Sequence, residues 1–233
     1  PTQRLRADER ELIWKFRYTL TSQPHALTRV LKCVDWTDTR EVAHARSLID
    51  QWSPAPVDDL IELLSATFVS ASPWLRAFAV TALRTRATDA QLLAYLLPLV
   101  QAVQYERHVP LPPSEAPLAA LLIARAVANA TEADGELAVL FHWYLNVERR
   151  DARHGMHYAQ VHDTFLSRLA ELPDAAALHI TLRRQERLVS VLSATAQALK
   201  TSGESRPKRI AKLQSMLASS DSPLSAARMQ AEP

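Results

Sequence analysis

The chain has 233 residues, 48% hydrophobic and 22% charged, with a net charge of +2; this is ordinary globular material for one large or two small domains and marks no polyanionic partner. Only 3 Gly stand against 14 Pro, a balance that disfavours tight hairpins, Gly-rich phosphate loops and most all-β architectures. The single Cys33 leaves no intrachain disulfide and suits a reducing compartment, and no signal peptide or membrane span is readable.

The first residue is Pro rather than Met, so the chain is expected to be a piece of a longer one. Residues 8–18 read as a first helix with Leu12, Ile13, Phe16 and Leu20 near one face. Pro24 opens a second, carrying Ala26, Leu27, Val30 and Leu31, because its fixed φ suits a first helical turn. Asp38 and Glu41 have capping-box spacing, so a third helix begins there and runs through Val42, Ala45, Leu48 and Ile49 to Trp52. Ser53 to Pro56 is a stiff break, and Val57 to Leu64 makes a short fourth helix. Ser72 and Pro73 supply the N-cap and first position of a fifth, through Arg84.

Thr88 and Gln91 cap the sixth helix, which is the greasiest: 16 uncharged residues run from Ala90 to Tyr105. That is short of the roughly 20 needed to span a bilayer. Apolar residues at 92, 93, 96, 97, 100 and 103 follow helical spacing, so the stretch is expected to sit in the middle of a helical layer, covered on most sides. Pro98 removes the bond to the Ala94 carbonyl and clashes with it, at about 3 kcal/mol. A kink rather than a stop is expected, because the apolar period continues to Val103.

His108 to Pro117 is a Pro-rich linker. A seventh helix carries Leu118, Leu121, Leu122 and Ile123, and an eighth at 134–149 carries Leu137, Leu140, Phe141, Tyr144 and Leu145. After a charged turn from Arg149 to Gly155 comes a ninth over 156–171. Pro173 and Asp174 open the longest, to Lys200, about 40 Å at 1.5 Å per residue. Ser202 to Pro207 breaks it, and Arg209 to Leu217 is a last short amphipathic helix. The tail at 219–233 is expected to be disordered.

These elements imply an all-α fold. Pairs such as 38–51 with 57–64, and 73–84 with 89–105, suggest antiparallel hairpins stacked into an α-solenoid of the armadillo or HEAT kind, although no strict sequence period is visible. The expected division is a helical domain at 8–150, a linker with the first helices of a following domain at 151–218, and the tail.

Three constellations invite a chemical reading. His154, His157 and His162, with His142 nearby, raise the question of a metal. No Cys joins them, the His-Glu-x-x-His pattern is absent, and His157 and His162 diverge on a helix, so they read as solvated or partner-facing and no metal ligand is assigned. Arg149, Arg150, Arg153, then Arg183, Arg184, Arg187, and later Arg206, Lys208, Arg209, Lys212 form basic clusters. Anionic headgroups or an acidic subunit would suit them, but Glu148, Asp151 and Glu186 are interleaved, as on a solvated helix face. The same clusters lack interleaved aromatics, which argues against nucleic acid. Trp14, Trp36, Trp52, Trp74 and Trp143 are expected at seams, their indole N–H groups on carbonyls. Trp36 and Trp52 stand at helix edges, where a neighbouring domain would cover them.

The stretch Tyr95-Leu-Leu-Pro-Leu-Val-Gln-Ala-Val-Gln-Tyr105-Glu106 resembles the Tyr-Leu-Leu-Gln-Leu-Val-Gln-Ala-Leu-Lys-Tyr-Glu signature of phosphoinositide 3-kinase helical (accessory, or PIK) domains. In order along the chain, Leu12 to Tyr18, Ala26 to Thr28, Leu31 to Trp36, Trp52 with Pro54, Leu60 to Ser65, Arg76 to Leu83, Leu122 to Ala126 and Phe141 to Leu145 match further family segments, the second and third of them closest to class III. Residues 158–217 resemble the class III segment leading into the kinase N-lobe, through Gln185, Leu188, Val189, Leu192 and Ile210 to Leu217. Pro98 and a short linker at 108–117 depart from the pattern.

The resemblance implies a scaffold within a lipid kinase that phosphorylates the 3-hydroxyl of phosphatidylinositol with ATP and Mg or Mn. It also implies a regulatory protein kinase subunit and a beclin-like subunit as partners, peripheral membrane contact, and work at endosomes and autophagosomes. The family's phosphate-holding Lys, Asp-Arg-His-x-x-Asn catalytic loop and Asp-Phe-Gly are not in these residues, so no catalytic or cofactor-binding residue is assigned. The competing expectation is a stand-alone α-solenoid adaptor that kept this domain and lost the kinase.

Overall fold

The computed structural model describes residues 5–69, 71, 73–108, 117–132 and 135–218. The Pro-rich linker at 109–116, Ser72 as an N-cap and the tail from Ser219 lie outside them. Every regular element among the described residues is helical, as the all-α reading requires. The chain divides into two compact units, Pro1–Thr164 and Phe165–Pro233.

The first unit opens with α1 (Ala7–Lys15). The Glu9 carboxylate accepts the Arg6 backbone N–H at 2.8 Å, which settles one orphan donor at the start. The helix stops three residues before the expected Tyr18. Phe16 leaves helical geometry, and the Arg17 guanidinium turns back to the Trp14 carbonyl at 2.7 Å. The face expected to be buried is open: Leu12 is 57% and Phe16 50% exposed. A 3-10 turn at Pro24–Ala26 leads into α2 (Leu27–Leu31), whose Leu27, Val30 and Leu31 are buried.

Asp38 caps α3 (Thr39–Asp50) by accepting the Arg40 N–H at 2.8 Å. The reciprocal half of the expected capping box is not made, because the Glu41 carboxylate accepts from Asp35 N instead. Trp52 closes the segment, its indole N–H on the Gln23 carbonyl at 3.1 Å. After the proline break come α4 (Val57–Glu62) and α5 (Pro73–Arg86), which pack on each other; Leu60 of α4 and Leu75, Ala79, Val80 and Leu83 of α5 are all buried.

The uncharged stretch is not one kinked rod. Thr88 and Gln91 form the expected reciprocal box on α6 (Asp89–Ala94). The helix ends at Tyr95, and α7 (Leu96–Ala102) restarts, followed by a 3-10 turn at Val103–His108. Pro98 therefore lies in the first turn of α7, where a missing N–H costs no intrahelical bond; the break falls just where its ring would meet the carbonyl of residue 94. The stretch is also only half covered. Leu92, Leu96, Leu99, Val100 and Val103 are buried, while Tyr95, Leu97 and Pro98 are exposed.

The middle of the layer is instead α9 (Glu136–Glu148), which packs against α6, α7 and α8 (Leu118–Asn129). Its Leu137, Ala138, Phe141 and Leu145 are buried. At roughly 1.5–3 kcal/mol per large buried apolar side chain, these residues are the main driving force for that seam. The most extensive packing joins α8 to α9, α7 to α9 and α4 to α5, so neighbours differ from the hairpins drawn by sequence order. Helix α10 (Gly155–Ala170) follows a tight turn. A β-carbon on Gly155 would stand 2.5 Å from the Arg149 carbonyl oxygen, so only glycine lets the chain turn there.

The second unit holds a 3-10 turn at Pro173–Ala175, α11 (Ala176–Thr201) and α12 (Arg206–Ala218). Leu182 and Thr195 of α11 are buried, but Leu188, Val189, Leu192, Ile210 and Leu217 are exposed. Alternation of small and polar residues limits what these helices bury; α12 buries none.

Candidate functional site: polar clamps between helices

The first unit is held by polar side chains that reach across helix ends. Arg76 projects from α5 and is only 8% exposed, so its charge is met inside the protein. Its Nη2 donates to the Ala102 carbonyl at the end of α7 at 2.8 Å, its Nη1 to the Leu64 carbonyl after α4 at 3.3 Å, and Nη2 lies 3.8 Å from Glu106 Oε1. The guanidinium thereby satisfies carbonyls that helix ends leave orphaned.

Glu106 does the complementary task. Pro117 precedes α8 and offers no capping side chain, and the Glu106 carboxylate accepts the N–H groups of Leu118 and, at 3.3 Å, Ala119. A carboxylate at a helix N-terminus also meets the positive end of the macrodipole. Burial pushes the Glu106 carboxyl up, and Arg76 with the two amides opposes that rise. Burial likewise pushes the Arg76 guanidinium down, opposed by Glu106.

Two further clamps repeat the device. Arg125 of α8 donates through Nη1 to Asp89 Oδ1 at 2.9 Å and through Nη2 to the Ala87 carbonyl, fixing α8 to the corner between α5 and α6. Asn129 at the end of α8 caps α9: its Oδ1 accepts from Leu137 N at 2.9 Å and Ala138 N at 3.4 Å, and its Nδ2 donates to Glu132 at 2.8 Å. The residue at the N-cap position itself is Gly135, at φ 51°, which has no side chain to cap with.

The four histidines separate into different roles. Within the first unit His142 and His162 are fully buried and meet, with His162 Nε2 2.9 Å from His142 Nδ1. Arg149 Nη1 lies 3.4 Å from His162 Nδ1. His154 Nδ1 is 3.3 Å from Asp151 Oδ1, and that carboxyl is held below its usual range by the backbone N–H groups of His154 and Arg153. The ring of His157 lies 6.5 Å from that of Tyr158. The Tyr158 hydroxyl donates to the Gln101 carbonyl at 3.2 Å, tying α10 to α7, and burial pushes its phenol well above the usual range.

Among the described residues one group has metal-ligand proximity, and it is elsewhere: His25, Asp58 and Asp59, their ligand atoms within 4.8 Å of one another. His25 and Asp58 are exposed, and burial with the neighbouring Asp58 charge pushes the Asp59 carboxyl up. Cys33 is buried, its thiol donating to the Arg29 carbonyl at 3.2 Å, and burial raises it out of the reactive range.

The basic clusters are mostly surface charge. Arg150, Arg153, Arg183, Arg184, Arg206 and Lys208 are exposed, Arg183 pairing with Glu186 and Lys212 with Glu204. Of the tryptophans, Trp52 finds a carbonyl as expected; Trp74 Nε1 is buried with no hydrogen-bond partner, its ring 6.3 Å from that of Trp36 and beneath Arg46. No helix among the described residues is long and apolar enough to cross a membrane. What the site does chemically is hold: it joins helix ends by charge-assisted hydrogen bonds.

Residues 1–176 match the family model of the phosphoinositide 3-kinase family accessory domain (PIK domain). The chain is 36% identical, over 93% of its length, to phosphatidylinositol 3-kinase pik3 of Schizosaccharomyces pombe. Over the same share it is 35% identical to phosphatidylinositol 3-kinase VPS34 of Arabidopsis thaliana. It is 28% identical, over 82% of its length, to the phosphatidylinositol 3-kinase catalytic subunit type 3 of Caenorhabditis elegans. The chain spans 26% of each of these relatives.

Proposed function

The chain belongs to the phosphoinositide 3-kinase accessory (PIK) domain family, and from that premise we propose that it is the rigid helical shoulder of a phosphatidylinositol 3-kinase whose reacting groups lie in other parts of the enzyme. In this reading the parent enzyme transfers phosphate from ATP, with Mg or Mn, to the 3-hydroxyl of phosphatidylinositol. It works peripherally on endosomal or autophagosomal membranes, with a regulatory protein kinase subunit and a beclin-like subunit as partners. The helices stack as a solenoid, and residues 151–218 lead toward the kinase lobe, which covers the exposed Leu188, Val189 and Leu192.

The single observation that carries the mechanical part is the Arg76 clamp. One side chain holds the ends of α4 and α7 and the carboxylate that caps α8. A buried polar network of this kind fixes one arrangement of packed elements, because any other arrangement strands a charge in the interior.

The test is phosphate transfer to phosphatidylinositol vesicles. The 233-residue chain alone transfers none, and the parent enzyme carrying Arg76→Ala loses activity in step with its thermal stability while the KM for ATP is unchanged. Transfer by the chain alone, or an ATP KM that moves with Arg76, contradicts the proposal.

A further inference from the structure

The positive charge of the chain is not spread along it. Over 165–218, nine Lys and Arg stand against four Asp and Glu, whereas residues 1–164 carry 17 against 19. Such an asymmetry gives one part of a chain a negatively charged partner. It is sharpest in α12: residues 205–218 hold Arg206, Lys208, Arg209 and Lys212 and no carboxylate. The other basic clusters have Glu148, Asp151 or Glu186 among them.

Helix α12 also lacks a core. It buries no residue, and the extensive helix packing among the described residues does not include it. At 13 residues it is about 20 Å long. Ile210, Leu213 and Leu217 follow i, i+3, i+7 spacing and form one stripe. Ile210 is 48% and Leu217 56% exposed. By the same spacing Lys208, Lys212 and Ser215 lie on the opposite side, and all three are exposed. Arg206 and Arg209 stand nearer the stripe, where an arginine adds its apolar stem and keeps its charge at the tip. Lys212 pairs with Glu204 at 4.0 Å, a long contact of a kind that holds a surface lysine weakly.

We propose that α12 is a lipid-facing element: it lies along an anionic bilayer surface, with Ile210, Leu213 and Leu217 toward the acyl chains and its Lys and Arg among the headgroups. The proposal rests on the reading of the parent as an enzyme of membrane surfaces and names the helix that touches one. A lipid surface asks for diffuse positive charge beside a shallow aliphatic stripe, with no shaped pocket. Helix α12 offers that combination. Single-stranded nucleic acid asks for stacking aromatics as well, and residues 205–218 have none. Protein interfaces favour aromatic side chains and are depleted of Lys, the reverse of this helix.

Flotation of the 233-residue chain with lipid vesicles tests the proposal. The chain is expected to float with vesicles that contain phosphatidylserine, to stay behind with phosphatidylcholine alone, and to be released by salt. Each Lys or Arg near an anionic surface is worth about fivefold in binding, so Lys208→Gln with Lys212→Gln lowers it about 30-fold. Ile210→Ser with Leu217→Ser also lowers it, and Arg40→Gln with Arg84→Gln, which removes two exposed charges of the first unit, leaves it unchanged. A polarity-sensitive dye on the Leu217→Cys variant shifts to the blue on the anionic vesicles, and the same dye on the Ser215→Cys variant does not; Cys33 is buried and stays unlabelled. Because α12 buries nothing, circular dichroism shows these variants folded. No flotation, equal flotation on both kinds of vesicle, an equal loss in the Arg40 and Arg84 variant, or equal dye shifts each overturn the proposal, the first of them in favour of an acidic protein surface. Phosphate transfer plays no part in this readout, so its failure leaves the scaffold reading standing, and failure of the scaffold reading leaves vesicle binding unmoved.

Discussion

Glu106 stands 3.8 Å from Arg76 and at the same time accepts the first two amides of α8. One carboxylate thus answers a buried cation and a helix end that has no cap of its own. Neither group is replaceable singly, since removing one leaves the other charged and desolvated. Arg76→Ala is expected to cost about 3–5 kcal/mol, read as a drop in the urea midpoint. Arg76→Lys recovers little, because a compact ammonium does not span the carbonyls of Leu64 and Ala102 and the carboxylate together. Arg76→Met with Glu106→Leu is expected to recover part of the loss relative to Arg76→Met alone, since it strands no charge.

The same pair gives a pH dependence with a definite sign. Burial raises the Glu106 carboxyl above its ordinary value, so the folded protein keeps that proton at pH values where the unfolded chain has lost it. The associated stability is full below about pH 4.3, the unfolded glutamate value, and fades as pH rises through the raised folded value. Compared with Glu106→Gln, wild type is therefore expected to lose stability as pH rises from about 4.3 through that raised value. Urea titrations of both proteins across that window measure the difference, and a gap that widens in the wild type's favour toward neutral pH contradicts the assignment.

Asn129 caps α9 from the preceding helix. Asn129→Ala is expected to cost about 1–2 kcal/mol, through the stranded N–H groups of Leu137 and Ala138. Thr88→Ala, which opens the reciprocal box on α6, costs about 1 kcal/mol. Thermal unfolding of the two variants compares them directly.

Gly155→Ala forces a β-carbon to 2.5 Å from the Arg149 carbonyl. The backbone must give, at about 1–3 kcal/mol. His162, on the helix that Gly155 opens, meets His142 at 2.9 Å, so the near-ultraviolet signal of Trp143, which meets the His142 ring edge-on at 5.1 Å, is expected to change with it.

The helix starts were legible in the sequence because capping is local. Pro24, Asp38, and Thr88 with Gln91 each open the element they announce. The apolar period located most of the core for the same reason. Pro98 was read as a kink, but a proline can also be absorbed by ending one helix and starting another, and local sequence does not choose between these. The open face of α1 was misread because periodicity says which residues share a side, not whether anything covers it. The clamps were visible only as names in a resemblance: Arg76, Glu106 and Arg125 lie in the matched segments, yet nothing in a charge's spelling says that it is buried. His142 and His162, 20 residues apart, were weighed as metal ligands and read as solvated or partner-facing; both are instead buried against each other, a meeting that their spacing does not announce.

Native-state hydrogen exchange on the 233-residue chain at neutral pH addresses the scaffold most directly. Amides of α4, α5, α7, α8 and α9 are expected to exchange only through one common opening, with the free energy of global unfolding of their unit, and Arg76→Ala is expected to lower all five together. Amides of α11 and α12, with their uncovered apolar residues, exchange sooner. If α9 opens independently of α5, or if α12 is protected as well as α9, the five helices are not one clamped body and the scaffold account is wrong.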